Sequence, residues 1–410
     1  MSMDLFQKCD DFTRVDQAKA LGLYPYFHML TSGQDTEVDM DGHRTLMFGS
    51  NNYLGLTSDP RVKEASIKAV EKYGSGCSGS RFLNGTLDLH VELEAALARF
   101  LQKEDALVVS TGFQTNLSII SAITGRNDYI LSDAMNHASI VDGTRLSFAK
   151  TLKFKHSDMD DLERLLIHCA ADEKAGILIV TDGVFSIEGE ICKLPDIVRL
   201  AGKYGARVMV DDAHAIGVLG QHGRGTAEYF GLNDGVDIIM NTFSKTLASL
   251  GGCIAASKKV IDYIKHNARP FIFSASIAPA QVAAAREALR ILENEPQRVR
   301  RLNEIAAYMK RGLSQLPNVH IFDNGNDIVP IVPILTGSIG RTLYTAHLLL
   351  ENGVYVNPVL PPAVHKDSCL QRTSYSATHT NAQLDEGIAI INNVLTQIAE
   401  MTDVNFDIDL

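Results

Sequence analysis

Short apolar runs alternate with amphipathic stretches through most of the chain after about residue 60. The runs have the length and continuous apolar character of parallel strands that are covered on both faces. The stretches between them, such as Leu89–Leu101, Met159–His168 and Leu194–Tyr204, have the spacing of helices. This alternation predicts an α/β fold, in which a mostly parallel sheet is covered by helices and binds ligands at the carboxyl ends of its strands. The predicted strands are Ala106–Ser110, Tyr129–Leu131, Gly176–Thr181, Arg207–Asp211, Val236–Asn241 and Cys253–Ala256.

The pattern changes on both sides of this region. The first residues have the character of an arm, polar and rich in turns, with a short predicted strand at Thr45–Phe48. After Pro279 a long charged helical stretch, Ala280–Leu316, is followed by short apolar runs and a last helix at Ala382–Glu400. The chain is therefore expected to comprise an N-terminal arm (1–55), a large domain (56–289) and a smaller α+β C-terminal domain (290–410).

Composition excludes several classes of function. The 410 residues carry a net charge of −11, which argues against a nucleic-acid or anionic membrane surface as partner. The six cysteines form no CxxC pair, so we expect no disulfide framework and no metal site, and a reducing cytoplasm as the location. Neither a signal peptide nor a membrane-spanning stretch is apparent. Any contact with the inner membrane is therefore expected to be peripheral.

Two polar motifs directly follow predicted strands. One is Asp211-Asp212-Ala213-His214, and the other is Thr242-Phe243-Ser244-Lys245. Pyridoxal phosphate chemistry needs a lysine amine for the Schiff base and a carboxylate that keeps the pyridine nitrogen protonated, which Lys245 and Asp211 can supply. The neighbouring hydroxyls of Thr242 and Ser244 suit a phosphate. A lone lysine or aspartate at such a position is usually a surface charge or a helix cap, but the joint pattern favours a cofactor site.

Two histidines can reach the same ring. His214 lies three residues after Asp211, so both side chains can act from one strand end. The adjacent Asp212 is expected to face the other way, because side chains alternate across a strand. His137, which follows the strand Tyr129–Leu131, could stack on the pyridine ring. Local hydrogen bonding at a helix start explains that histidine equally well.

A phosphate site is expected at the start of the helix that follows Ala106–Ser110. There Thr111-Gly112-Phe113 opens the helix, whose first N–H groups and partial positive charge suit an anion. Gly112 would let the backbone approach closely, although a Thr-Gly pair alone is usually a turn. The glycine-dense segment 74–81 has neither the lysine of a P-loop nor a preceding strand, so we do not expect nucleotide binding.

Two further residues are candidates for binding a substrate carboxylate. Ser186 follows the strand Gly176–Val180 and can donate a hydrogen bond to that group or to the ring oxygen, although its segment also makes an acceptable turn. Arg372 follows the proline-rich turn Pro358–Pro362 and can hold a carboxylate through two parallel hydrogen bonds. Taken alone, such an arginine is more typical of a surface charge.

These motifs, in this order, resemble the α-oxoamine synthases, fold-type I pyridoxal-phosphate enzymes that condense an amino acid with an acyl-CoA thioester. The resemblance covers nearly the whole chain, and within the family it is greatest to the bacterial serine palmitoyltransferases. It implies a decarboxylative Claisen condensation of L-serine with palmitoyl-CoA that yields 3-oxosphinganine, CoA and CO2, the first step of sphingolipid synthesis. The motifs are Ser50–Gly55, Gly79–Arg81, Ser80–Thr86, Asn136–Ser139, Asp211–His214, Thr242–Lys245, Pro361–Val364 and Ala377–Thr380.

The resemblance also implies a role for each matching residue. The family works as a homodimer with its active sites at the interface, and we expect the same here. By resemblance, the catalytic group comprises the Schiff-base lysine Lys245, the pyridinium partner Asp211, the phenolic-oxygen partner His214 and the stacking residue His137. The phosphate would be held by Gly112, Phe113, Thr242, Ser244 and, across the dimer interface, Ser274. The substrate carboxylate would be held by Asn51 and Arg372, with Ser186 also facing the substrate.

The residues leave three alternatives open. Other members of the family use other substrates, as glycine C-acetyltransferase and 8-amino-7-oxononanoate synthase do. An aminotransferase would use the same lysine and aspartate but would hand the amine to a keto acid. A catalytically silent subunit is the third alternative, and the presence of Lys245 argues against it because such subunits lack the Schiff-base lysine.

Overall fold

The central feature of the fold is a seven-stranded sheet in which most strands run parallel. The protein was studied as a computed structural model that describes residues 4–401. The outermost residues of the predicted arm and C-terminal domain, 1–3 and 402–410, lie outside the described residues. The strands are β1 (Glu37–Met40), β2 (His43–Met47), β3 (Asp105–Val109), β4 (Tyr129–Asp133), β5 (Lys150–Phe154), β6 (Ile177–Asp182), β7 (Arg207–Asp211), β8 (Ile238–Thr242), β9 (Gly252–Ala256), β10 (Ile331–Gly337), β11 (Val354–Tyr355), β12 (Asn357–Val359) and β13 (Cys369–Ser374).

Helices separate the strands through most of the chain. The helices are α1 (Gln7–Asp10), α2 (Arg14–Ala20), α3 (Pro60–Tyr73), α4 (Asp88–Phe100), α5 (Gly112–Ile123), α6 (Ala138–Leu146), α7 (Met159–Ala170), α8 (Leu194–Tyr204), α9 (Thr226–Phe230), α10 (Lys258–Asn267), α11 (Arg269–Ile272), α12 (Pro279–Asn294), α13 (Gln297–Ser314), α14 (Ile339–Glu351) and α15 (Asn381–Glu400). The apolar faces of α5 and α10 pack on the seven-stranded sheet, whereas α12 packs mainly on α3.

The seven-stranded sheet has the order β3-β9-β8-β7-β6-β4-β5. Neighbours from β8 to β5 pair in parallel, whereas β9 pairs antiparallel with both β8 and β3. One core under this sheet joins apolar residues of the strands to those of α5 and α10, including Ile120, Val180, Met240 and Ile264. The predicted α/β fold with a mostly parallel sheet is therefore confirmed. The parallel strands end at one edge, where β4, β6, β7 and β8 place their last residues.

Internal contacts divide the chain into two units. One comprises Asn51–Ile305 and Asn324–Pro330 and contains the seven-stranded sheet. The other comprises the residues up to Ser50, Ala306–Asp323 and the residues from Ile331 onward, and it contains two three-stranded sheets. The boundaries predicted from the sequence lie at 55 and 289, with a separate arm before the first of them. The first residues join the second unit because β2 pairs in parallel with β11.

Two local features differ from the sequence expectations. The stretch Ala280–Leu316 forms two helices, α12 and α13, because Pro296 lies between them and lacks the N–H that a continuous helix needs. Strand β5 was not predicted, since only its last residue, Phe154, is buried and the strand therefore has no apolar run. Among residues 4–401, no helix combines the length and the apolar composition needed to cross a membrane.

Candidate active site

A cavity of about 300 Å³ lies at the carboxyl ends of β4, β6, β7 and β8. Its volume is at the lower end of the range for small-molecule sites. Nine of the twelve residues predicted for the site line this cavity, whereas Asn51, Ser274 and Arg372 do not. The nine are Gly112, Phe113, His137, Ser186, Asp211, His214, Thr242, Ser244 and Lys245.

Asp211 is the last residue of β7, and its carboxylate is buried and held in place. One oxygen accepts the side-chain amide of Asn116 at 2.7 Å, and the other accepts the N–H of Ala213 at 3.0 Å. Asn116 lies on α5 and also donates to Ser139 Oγ at 2.8 Å. The carboxylate therefore has a fixed orientation in the cavity wall. Sequence reasoning missed Asn116, because its contact depends on how α5 packs against β7.

His214 is held by a tyrosine that sequence reasoning did not single out. Nδ1 of His214 lies 2.7 Å from the hydroxyl oxygen of Tyr53, and both side chains are buried. The same hydroxyl lies 3.3 Å from Oδ1 of Asn51. Tyr53 belongs to the motif Ser50–Gly55, which was noted only for its resemblance. The sequence pointed to Tyr53 only through its place two residues after the candidate residue Asn51.

His137 lines the cavity and also caps a helix. The cap agrees with local hydrogen bonding at a helix start, whereas stacking on the pyridine ring stays a prediction. Its ring accepts the N–H of Ser139 at 3.2 Å at the start of α6. Its backbone N–H donates to Oδ2 of Asp182 at 3.2 Å. Burial lowers the pKa of His137, and the positive charge of Lys245 lowers it further against the opposing effect of Asp211. A neutral, flat imidazole is therefore expected at the cavity wall.

Asp182 is a second carboxyl group in the cavity and was not predicted. It ends β6 and pairs in register with Asp211 on β7. Burial raises the pKa of Asp182 well above its usual range, and the charge of Asp211 raises it further. The positive charge of Lys245 and the N–H of His137 oppose this rise. The neighbouring Asp212 does not line the cavity and instead accepts both the hydroxyl and the N–H of Thr226.

The start of α5 and the end of β8 form a cradle for an anion. Thr111 caps α5 by accepting the N–H of Gln114 at 3.1 Å. A Cβ atom added to Gly112 would lie 2.4 Å from Oγ1 of Thr242, so only glycine allows this close approach. Oγ1 of Thr242 lies 3.0 Å from Oγ of Ser244. Helix N–H groups and two hydroxyls thus line one cavity together with Asp211. These groups suit the phosphate and the ring nitrogen of pyridoxal phosphate.

Three predicted residues lie outside the lining of this cavity. Asn51 contacts Tyr53, as described above. Ser274 accepts the side-chain amide of Gln114 at 3.0 Å, beside Phe273, whose side chain is 74% exposed. Arg372 belongs to the other unit, where it is buried in β13 with Nη1 3.4 Å from Ser374 Oγ. The roles of these three residues stay predictions.

Comparisons with known proteins agree on one kind of chemistry. The profile of the family described as aminotransferase class I and II matches residues 44–391. A serine palmitoyltransferase from Sphingobacterium spiritivorum is 51% identical, over 96% of this chain and 97% of its own length. An 8-amino-7-oxononanoate synthase from Alkaliphilus metalliredigens is 42% identical, over 93% and 95%. A solved serine palmitoyltransferase that carries pyridoxal phosphate has a TM-score of 0.93 and 33% identity, over 97% of this chain and 100% of that one.

Proposed function

The chain belongs to the aminotransferase class I and II family, and we propose that it catalyses the condensation of L-serine with palmitoyl-CoA to give 3-oxosphinganine, CoA and CO2. It is a pyridoxal-phosphate-dependent acyltransferase of fold type I, as the resemblance implied. The main support for this chemistry is that Lys245 and Asp211, which follow or end neighbouring strands, line the same cavity. The choice of substrates follows the 51% identity to a serine palmitoyltransferase.

Pyridoxal phosphate, when bound, supplies an aldehyde that captures the amine of serine and a protonated ring that withdraws electrons from its Cα. We propose that Gly112 and Phe113 hold its phosphate through the N-terminus of α5, with the hydroxyls of Thr242 and Ser244 completing the cradle. Asp211 would hold the proton on the ring nitrogen. His214, which is held by Tyr53, would bind the phenolic oxygen.

Lys245 is the residue placed to move the proton at Cα of serine. It lines the cavity and is close enough for its charge to lower the pKa of both His137 and Asp182. A positioned base of this kind contributes roughly 10²–10⁴-fold to the rate of proton transfer. Lys245 would therefore hold the cofactor in the absence of serine, and its free amine would serve as the base once serine is bound.

We propose that His137 and Ser186 orient the serine, since both line the cavity near Lys245. A neutral His137 can lie against the flat ring without bringing a second positive charge beside Lys245. The predicted role of Asn51 and Arg372 in holding the serine carboxylate is retained from the family resemblance. Arg372 suits that role chemically, because a guanidinium binds a carboxylate through two parallel hydrogen bonds.

We further propose a cytoplasmic homodimer with shared active sites. In this arrangement Ser274 serves the partner's phosphate rather than its own, which agrees with its place outside the lining of its own cavity. The exposed side chains of Leu83 (78%) and Phe273 (74%) are apolar surface that a second copy would cover. Because palmitoyl-CoA and the product partition into lipid, we propose that the protein contacts the inner membrane face. This contact would be peripheral.

The proposed function is tested by the release of CoA thiol from the pyridoxal-phosphate-loaded protein. The substrate pairs are L-serine with palmitoyl-CoA, glycine with acetyl-CoA, and L-alanine with pimeloyl-CoA. We expect release with the first pair, and loss of release in Lys245→Ala. Lys203→Ala, which removes an exposed lysine paired with Glu163 on the surface, serves as the matched control. Release confined to another pair would move the protein to another α-oxoamine synthase activity, and amine transfer to a keto acid would identify an aminotransferase.

A further inference from the structure

His156 lies two residues after the end of β5, and both nitrogens of its ring face carboxylates. Nδ1 lies 2.9 Å from Asp133 Oδ1, and Nε2 lies 2.9 Å from Glu190 Oε2. A neutral imidazole has only one N–H, so two hydrogen bonds to carboxylates require the doubly protonated, positively charged ring. Burial by itself lowers the pKa of His156, but the hydrogen bonds and charges of Asp133 and Glu190 outweigh it and raise the pKa to about 10.

Asp133 connects His156 to the segment that carries His137. This segment comprises residues 133–137 and begins at the last residue of β4. The carboxylate of Asp133 accepts the N–H of Met135 at 2.9 Å through one oxygen and the N–H of Ser157 at 3.0 Å through the other. The position of Asp133 therefore fixes the turn from which His137 reaches the cavity.

Glu190 connects His156 to the segment that carries Ser186. This segment, residues 183–192, leaves β6 and folds back on itself, since Val184 and Ile191 form an antiparallel bridge. The backbone carbonyl of Glu190 accepts the N–H of Phe185 at 2.9 Å. The ring of Phe185 also meets the ring of His156 edge-on, with centroids 4.4 Å apart. His156 therefore contacts the segment at the residue before Ser186 and at Glu190 near its end.

We propose that His156 is a positively charged positioning residue, which holds the Ser186 segment in register with the His137 segment on the substrate side of the cavity. His156 does not line the cavity, so it acts through these two segments and not on the substrate. The inference rests on the proposed function, because that function gives Ser186 and His137 their substrate. A displacement of about 1 Å at such groups costs up to roughly 10²-fold in rate.

The first test compares His156→Gln with the parent, using pyridoxal-phosphate-loaded protein at saturating palmitoyl-CoA. We expect the KM for L-serine to rise by about tenfold or more, because the two substrate-facing segments lose their common partner. His222→Gln is the matched control, since His222 also pairs with a glutamate, Glu228, but lies outside the cavity lining. An unchanged KM and kcat in folded His156→Gln would overturn the proposal.

The second test uses Glu190→Gln, which keeps the side-chain shape and removes one of the two charges facing His156. NMR of ¹³C-labelled histidines should show the parent His156 charged at pH 8 and the variant losing its proton at lower pH. The alkaline decline of kcat/KM for serine should move to lower pH in parallel. A neutral His156 at pH 8 in the parent, or an alkaline decline that stays in place, would contradict the proposal. If His156→Gln does not fold, Glu190→Gln still tests the positioning role of His156.

Failure of the proposed function would look different. In that case the parent would release no CoA from palmitoyl-CoA with L-serine. The titration of His156 would still be measured by NMR, and binding of L-serine would still be measured by the change in cofactor absorbance. Weaker serine binding in His156→Gln, with normal binding in His222→Gln, would then support the positioning role without the acyl transfer.

Discussion

The hydroxyl oxygen of Tyr53 lies 2.7 Å from Nδ1 of His214 in the buried wall of the cavity. If the hydroxyl donates this hydrogen bond, the proton of a neutral His214 must be on Nε2, where it can be donated to the phenolic oxygen of the cofactor. If the hydroxyl donates instead to Oδ1 of Asn51, which lies 3.3 Å away, the proton of a neutral His214 is on Nδ1 and Nε2 is an acceptor. The direction of this bond therefore sets which ring nitrogen of His214 can donate to the cofactor.

Tyr53→Phe is expected to lower kcat/KM for serine by about tenfold, since a hydrogen bond of this kind is worth roughly 1–1.5 kcal/mol. The aromatic ring and its packing are retained, so the thermal unfolding midpoint should change little. Steady-state kinetics of the purified variant provide the measurement. Tyr204→Phe removes a comparable tyrosine hydrogen bond, to Glu163 on the surface, and should behave like the parent. Equal kinetics for both variants would exclude a role for Tyr53.

Asp211→Asn is expected to slow exchange of the Cα proton of L-serine with solvent by about 10²-fold or more. An amide holds the ring proton less strongly than a carboxylate, so less negative charge can be withdrawn from Cα. Exchange is followed by NMR in D2O without acyl-CoA. Asp196→Asn, which changes an exposed aspartate paired with Arg199, is the control. Exchange at the parent rate in Asp211→Asn would contradict the assignment of Asp211.

Gly112→Ala is expected to weaken binding of pyridoxal phosphate by about tenfold or more, equivalent to roughly 1.4 kcal/mol. The new methyl group would lie 2.4 Å from Oγ1 of Thr242 and would push apart the two sides of the phosphate cradle. Titration of the apoprotein, followed by absorbance, gives the dissociation constant. Gly202→Ala is a matched control, because nothing lies within 4 Å of the added methyl in α8 and alanine favours a helix. Equal affinities would remove Gly112 from the phosphate site.

Because of the buried residue His90, we expect the protein to become less stable in acid. Burial lowers the pKa of His90 from 6.5 to about 4, while Nδ1 accepts the N–H of Leu87 at 3.0 Å. Because the folded pKa lies below the unfolded one, stability is complete above pH 6.5 and falls as the pH drops towards 4. At pH 5 the loss should be on the order of 1–2 kcal/mol from this residue.

The acid effect is measured by urea unfolding of parent and His90→Gln at pH 7 and pH 5. The variant should be less stable than the parent at pH 7 but should lose less stability on going to pH 5. Part of the slope should remain, since burial also lowers the pKa of His379 to about 4. His168→Gln, which changes an exposed histidine on α7, should keep the parent slope. If His90→Gln lost as much stability as the parent between pH 7 and pH 5, His90 would not be the cause of the acid effect.

Sequence patterns predicted the central strands well because those strands are buried on both faces. Strand β7, for example, has four consecutive buried residues and ends at Asp211 as predicted. Strand β5 could not be found in the same way, since it is an edge strand with mostly polar or partly exposed residues. Pro296 indicates a break between two helices, but the prediction of one long helical stretch did not take it into account.

The predicted cofactor residues that line the cavity share one property, which is that each follows a strand or opens a helix at the same sheet edge. Ser274 does not share it, since it lies between α11 and α12. Their supporting residues were missed because those contacts depend on pairing between distant segments. Asp182 stands beside Asp211 only through the register of β6 with β7. Asn116 reaches Asp211 from a helix, and Tyr53 reaches His214 from a segment more than 150 positions earlier in the chain.

The place of β9 has a consequence for how the chain is made. Strand β3 pairs only with β9 in the seven-stranded sheet, yet nearly the whole of that sheet is encoded between them. At roughly 5–20 residues per second, β9 leaves the ribosome on the order of ten seconds after β3. During that interval the apolar strand β3, with Ala106–Val109 buried in the finished protein, has no partner strand. The nascent chain therefore depends on α4 and α5, or on a chaperone, to cover β3 until synthesis reaches Gly252–Ala256.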